Sequence, residues 1–384
     1  MRRMLQSGLA AVAAVALLVG CAPAPAPTVA SSPTASTPTP TPTPTVEPAA
    51  AAVAEMSTAE QAASVVMGHV PSTDPATLRA YMASGPDGAA LGGFILMGAN
   101  VPGDAAQVRA VADALTLDAS LPPLIAIDQE GGVVSRLPWD DLPGGRALQA
   151  ETPERTRDVF AQRAKLIAEA GAQVNFGIVA DVPMDSSSFI SSRALGADAD
   201  SAAARVAAAV EGERGTVLST LKHFPGHGAA PGDSHHSVPS SGMTLSQWRA
   251  ADATPFQAGI DAGAELLMFG HLAYTSVDDA PASLSARWHA IAREELGFDG
   301  VMITDDLGML SSSGVAAYRD PVANAVASIG AGNDMVLMIA GSSAQTAHDM
   351  AAGIARAVDE GTLPAERLRD AAERVMELRM QLSG

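Results

Sequence analysis

Short apolar runs recur along most of this chain, and they constrain its fold more than any other feature. The clearest are Gly93–Met97, Leu124–Ile127, Val174–Ala180, Val217–Leu221, Glu265–Phe269, Gly300–Ile303 and Met335–Ile339. Each has the length of a strand, and Ala-rich stretches of helical pattern separate one from the next. A strand that is apolar on both faces belongs in a parallel sheet with helices packed on its outer side. Seven such runs, with an eighth near Ser64–Met67, predict an α/β fold, a single (β/α)8 TIM-type barrel over residues 56–384. An open doubly wound sheet is the alternative, but no GxGxxG fingerprint follows a run to favour it. Near the start of this region Ser57-Thr58-Ala59-Glu60 reads as a helix N-cap, with Ala62, Val65, Val66 and His69 following at helical spacing. At the far end Pro364 opens an amphipathic helix with Leu368, Ala372, Val375, Leu378 and Leu382 on one face.

The residues ahead of the barrel read differently. Arg2 and Arg3 precede an apolar stretch, Leu9–Val19, that is shorter than the roughly 20 residues of a bilayer span. This is the pattern of a secretory signal. Leu18-Val19-Gly20-Cys21 resembles the lipobox of bacterial lipoproteins, in which the cysteine is lipidated and becomes the mature N-terminus. A plain signal peptide with a coincidental cysteine is the alternative, but Cys21 is the only cysteine in 384 residues. Residues 1–20 are thus expected to be a lipoprotein signal peptide. Residues 21–55, rich in Pro, Thr and Ala, are expected to be a disordered linker, because alternating Pro builds neither helix nor core. These features place the domain outside the cell, held at the outer face of the cytoplasmic membrane by its lipid alone.

A single cysteine leaves no material for a disulfide framework or a thiolate zinc site. With 23 Lys+Arg against 42 Asp+Glu, and a net charge of −19, the chain has no basic character for nucleic acid. The polar residues that matter instead follow the apolar runs, where a barrel of this type carries its chemistry. Asp128-Gln129-Glu130-Gly131-Gly132 and Arg136 follow the second run, while Asp181 and later Arg193 follow the third. Lys222-His223 and then Asp233-Ser234-His235-His236 follow the fourth, Gly270-His271 the fifth, and Asp305-Asp306 the sixth. Only two lysines exist in the chain, and four of its eight histidines fall between 223 and 236. This set suits either a divalent metal or acid/base plus nucleophilic catalysis. Against the metal, Pro225 and Gly226 break any helix between His223 and His227, and no HExxH motif occurs.

The motifs K-H-F-P-G-H-G with D-S-H following, I-D-Q-E-G-G, G-F-D-G-V-M-I-T-D-D-L-G-M and P-A-S-L-S together resemble glycoside hydrolase family 3, in its β-N-acetylglucosaminidase (NagZ-like) branch. The resemblance implies that Asp305 is the catalytic nucleophile and Asp306 a supporting residue. It makes Asp233 and His235 an acid/base dyad in which His235 handles the proton and Asp233 orients it. Asp128, Arg136, Arg193, Lys222 and His223 become the sugar-binding set. The implied function is retaining release of terminal β-linked GlcNAc from peptidoglycan-derived or related glycans by a monomer without cofactor or metal. A histidine proton donor is chemically reasonable, since its ordinary pKa of about 6.5 lies near working pH. The Pro/Gly-bounded dyad loop is expected to close over the sugar. The alternatives are a β-glucosidase or GlcNAc phosphorylase on the same fold, or a sugar-binding lipoprotein without catalysis. Val133, Ala194-Leu195 and Gly270 depart from the usual family residues and bear on substrate preference.

Overall fold

The structure, a computed structural model, describes residues 47–232, 234 and 237–382. Cys21, the signal and most of the linker, and the dyad residues Asp233 and His235 lie outside the described residues. Eight parallel strands form one closed barrel: β1 Val66–Gly68, β2 Gly93–Leu96, β3 Leu124–Ile127, β4 Val174–Val179, β5 Leu218–Phe224, β6 Leu266–Phe269, β7 Val301–Asp306 and β8 Met335–Leu337. Each pairs with its neighbours in sequence, and β1 closes the ring on β8, with Val66 opposite Val336 and Met67 opposite Leu337. The expected (β/α)8 barrel is therefore present, including its eighth strand near Ser64–Met67.

The N-cap at Ser57 forms as a full capping box, with Ser57 Oγ accepting from the Glu60 N–H and Glu60 accepting from the Ser57 N–H. Its helix ends at Ser64, so the apparent helical spacing through Val66 and His69 was misleading. Val66 and Met67 are claimed by ladders to β8 and β2, and those bonds outweigh local helix periodicity.

Alternation inside the strands explains the continuous apolar runs. Ile95, Ala126, Phe176, Met268 and Ile303 belong to a cluster that fills the barrel interior. Their neighbours Phe94, Ile127, Leu267 and Met302 pack outward against the helices. Both faces are buried, so no polar alternation is left to read.

The C-terminal helix, Ala365–Gln381, lies across the floor of the barrel, the end where strands begin. Its Val375 and Leu378 join the interior cluster, and Arg379 donates to the carbonyls of Leu121 and Pro122 just ahead of β3. Arg367 and Arg293 meet at the fully buried Asp334, which precedes β8, at 2.6 and 2.5 Å. The helix Pro48–Ala54 packs against this C-terminal helix, with Val53 fully buried. The linker boundary at residue 55 is thus corrected: the folded unit begins at the helix that Pro48 opens, because an Ala-rich turn with one Val finds a floor to pack on.

Candidate active site

At the opposite end of the barrel, where strands finish, a cavity of about 310 Å³ is lined by Asp128, Arg136, Arg193, Lys222, His223 and Asp305, among others. All six of these are residues expected in the site from the sequence. A larger hollow of about 410 Å³ lies at the floor, walled by Met56, Leu91, Leu115 and Leu121, far from this cluster.

Two strands run further than the apolar pattern suggests. β5 continues through Lys222 and His223 to Phe224, and β7 through Thr304 to Asp306. The charged residues are therefore carried by ladder-bonded backbone rather than by loops, which fixes them more tightly. The peptide bonds Lys222–His223 and Phe224–Pro225 are cis.

Lys222 is buried between two carboxylates, 3.0 Å from Asp128 Oδ1 and 2.7 Å from Glu130 Oε1. Arg136 lies 3.1 Å from the other oxygen of Asp128. Arg193 grips Glu130 with two bonds, Nε at 3.0 Å and Nη2 at 2.7 Å. Burial alone raises a carboxyl pKa, but Lys222 and Arg136 overcome it and hold Asp128 at about 2. Glu130 is likewise lowered against its burial by Lys222 and Arg193. Asp181 accepts from His223 Nδ1 at 2.7 Å and from the His227 N–H at 2.6 Å. That pairing puts a proton on Nδ1 of His223 and leaves Nε2, 3.4 Å from Arg193, facing the cavity.

Asp305, unlike Asp128, has no cation in contact among the described residues. Burial works against its charge, yet His223, His271 and Lys222 around it keep its pKa below the ordinary value. Asp306, by contrast, is raised by burial and spends its oxygens on the N–H groups of Gly308, Ile339 and Ala340. It clamps the ends of β7 and β8. His271 braces the same backbone: Nε2 donates to the Asp306 carbonyl at 2.8 Å, and Nδ1 accepts from Ser283 Oγ at 2.7 Å. Burial lowers His271, consistent with this neutral tautomer.

The sequence places Glu130 and Asp181 at strand ends but assigns them no role, and it does not reach the residues beneath them. Gln129 is fully buried; its amide bonds Ser135 and Asp140, and its carbonyl oxygen accepts from the N–H groups of Arg136 and Leu137. Asn175 holds the Gln129 backbone from β4 and donates in turn to Glu213 at 2.5 Å. Burial raises Glu213 to about 8, so it stands as a neutral acid. Gly131, at φ 81°, is required because a Cβ there would strike the Arg163 guanidinium. The spacing D-Q-E was the one available signal for Glu130; nothing local marks Asp181 as a partner of His223, 42 residues away.

The chain resembles known proteins in sequence and in shape. The family model for the glycosyl hydrolase family 3 N terminal domain matches residues 86–378. A β-hexosaminidase of Stenotrophomonas maltophilia (strain R551-3) is 37% identical over 243 residues, covering 60% of this chain and 71% of that protein. A glycoside hydrolase family 3 β-N-acetylglucosaminidase from Paenibacillus sp. str. FPU-7 superposes with a TM-score of 0.78 at 27% identity, over 86% of this chain. This chain spans 64% of that structure's length. A β-N-acetylhexosaminidase from Beutenbergia cavernae DSM 12333 gives 0.73 at 28% identity, covering 85% of this chain and 99% of that one. With a matching barrel, the motifs in place at its strand ends and the family model covering most of its length, the chain belongs to glycosyl hydrolase family 3.

Proposed function

We propose that this chain is a retaining exo-β-N-acetylglucosaminidase that removes terminal β-linked GlcNAc from peptidoglycan-derived or related glycans. The observation that carries the reading is Asp305: a buried carboxylate held in its ionised form at a strand end, facing a small cavity walled by charged hydrogen-bonding groups. At about 310 Å³ the cavity is near the lower end of small-molecule sites, roughly 300–1,000 Å³, which favours one sugar over a polymer groove.

In this mechanism Asp305 attacks the anomeric carbon, forming a C–O bond as the bond to the aglycone oxygen breaks. His235 gives its proton to that leaving oxygen, and Asp233 holds the imidazole and stabilises its cation. Water then adds with His235 as base, releasing GlcNAc and restoring Asp305. Asp128, Arg136, Arg193, Lys222 and His223 bind the hydroxyls, with Glu130 and Asp181 fixing the last three. The relatives named β-hexosaminidase and β-N-acetylglucosaminidase support the substrate class. The lipobox-like Cys21 supports export and lipid anchoring at the outer face of the cytoplasmic membrane.

The test is a panel of aryl β-glycosides (GlcNAc, Glc, Xyl, GalNAc), with and without phosphate. The expected result is clear preference for GlcNAc, free sugar as product, and no dependence on phosphate. Preference for glucose, or a sugar 1-phosphate as product, overturns the reading in favour of a glucosidase or a phosphorylase.

A further inference from the structure

Beneath the sugar-binding carboxylates lies a buried acid that the mechanism above does not use. Glu213 ends the helix Ala199–Glu213 and is 0% exposed. Its Oε1 accepts from Asn175 Nδ2 at 2.5 Å, and its Oε2 has no hydrogen-bond partner among the described residues. No cation among those residues is in contact with it. Arg163, on the adjacent helix Pro153–Glu169, is engaged by Asp140 at 2.8 Å, and Arg214, next in the chain, donates to the Ala262 carbonyl. Its ionisable neighbour towards β6 is Glu265, which accepts from the Ser219 N–H at 2.8 Å; Ser219 is the register partner of Asn175. A carboxylate buried with one donor and a second acid nearby is costly, whereas a carboxylic acid is not. Burial pushes Glu213 up to about 8, with Glu265 adding to it and Asn175 and Arg163 opposing.

What Glu213 supports is the segment that carries the binding groups. Asn175 spends its whole amide on the link: Oδ1 accepts from the Gln129 N–H at 3.2 Å, while Nδ2 donates to the Gln129 carbonyl at 3.3 Å and to Glu213. The fit is close, because a Cβ on Gly177 would strike both the Asn175 amide and the Gln129 carbonyl. Gln129 stands between Asp128 and Glu130, the two carboxylates that hold Lys222, Arg136 and Arg193. Two hydrogen bonds therefore separate Glu213 from the backbone of the sugar-binding segment. With its proton, Glu213 accepts on Oε1 and adds no charge to this layer. Without it, an uncompensated anion draws water or the Asn175 amide towards itself, and either pulls on Gln129.

We propose that Glu213 is a positioning residue for the sugar site: as a neutral acid it fixes, through Asn175, the place of the Asp128-Gln129-Glu130 segment, and its ionisation weakens substrate binding. This rests on the reading of Asp128, Lys222, Arg136 and Arg193 as a glycosidase's binding set.

The experiment measures kcat, KM and melting temperature from about pH 5 to about pH 9 in the wild type, in the conservative variant Glu213→Gln and in Glu213→Leu, on whichever aryl β-glycoside the wild type turns over. Titrations shared by all three cancel in the ratios. Glu213→Gln keeps the acceptor for Asn175 and cannot ionise. Wild-type KM should match it near pH 6 and exceed it about tenfold near pH 9, one unit above the value for Glu213, with kcat in step throughout. Glu213→Leu, which offers Asn175 no acceptor, should show a raised KM at every pH. Stability gives a second readout. An acid raised in the native state keeps its proton after the unfolded chain has released it, so the wild type loses stability relative to Glu213→Gln as pH rises from about 4 to about 8. The melting-temperature gap should widen over that window and then level off. A KM ratio that stays flat with pH, a gap that does not widen, or a wild-type KM in Glu213→Leu overturns the proposal. A wild type that turns over no aryl glycoside refutes the parent reading instead.

Discussion

Asp305 and Asp128 face one cavity, and their neighbours give them different work. Asp128 has two cations in contact and is held as a fixed acceptor. Among the described residues Asp305 has histidines and Lys222 at longer range, so its charge is kept, and its Oδ1 accepts from the Asp306 N–H at 2.8 Å. Asp305→Asn should therefore lower turnover of an aryl β-GlcNAc by at least roughly 10⁴-fold, with the melting temperature little changed; near wild-type activity rejects it as nucleophile. For Asp128 the sign of the pH effect follows from its depressed pKa. Folding favours its ionised form, a contribution complete above about pH 4 and lost as pH falls through about 2. Asp128→Asn should cost about 2 kcal/mol in urea unfolding near neutrality, and the gap from wild type should close as the pH is taken below 4. A gap that stays constant across that range shows that the ion pairs are not its source. The sequence named both of these aspartates, because each ends a legible apolar run. It did not name Glu130 and Asp181 as partners, since their meaning depends on Lys222, Arg193 and His223, which come from other strands.

The strands show a second limit of the sequence, in the opposite direction. Their number and order were legible from apolar runs, but β5 and β7 are longer than those runs. Lys222, His223, Asp305 and Asp306 lie beyond those runs because they are polar, whereas backbone pairing carries the ladder on to Lys222 and Asp306. Pairing is blind to side-chain polarity where a cavity rather than a packed core receives the side chain. Between β6 and β7 the P-A-S-L-S motif also acquires a physical purpose. Ser283 donates to His271, which in turn donates to the carbonyl of Asp306. Ser283→Ala should cost about 1 kcal/mol of stability and lower kcat more than it raises KM, because it loosens the nucleophile's backbone rather than the sugar contacts. A pure KM effect in steady-state kinetics counts against that brace.

At the scale of the whole molecule, the two ends of the barrel divide stability from chemistry. The floor is sealed by the C-terminal helix and by Asp334 between Arg293 and Arg367. Asp334→Ala should lower the free energy of unfolding by about 3 kcal/mol, the lower end for a broken buried pair, since both arginines partly reach water. Activity per folded molecule should be unchanged; a selective loss of activity without loss of stability contradicts the division. For the proposed anchor, Cys21→Ser should move the protein from the membrane fraction to the soluble exported fraction, as read by detergent phase partition. No helix among the described residues is long and apolar enough to cross a membrane.

The position of the helix Pro48–Ala54 gives this arrangement a direction. Because it packs beside the C-terminal helix, Glu47, the first of the described residues, lies at the floor of the barrel. The mouth with Asp305 opens at the other pole. Chain entry at Glu47 and substrate entry at the mouth therefore fall at opposite poles of the barrel.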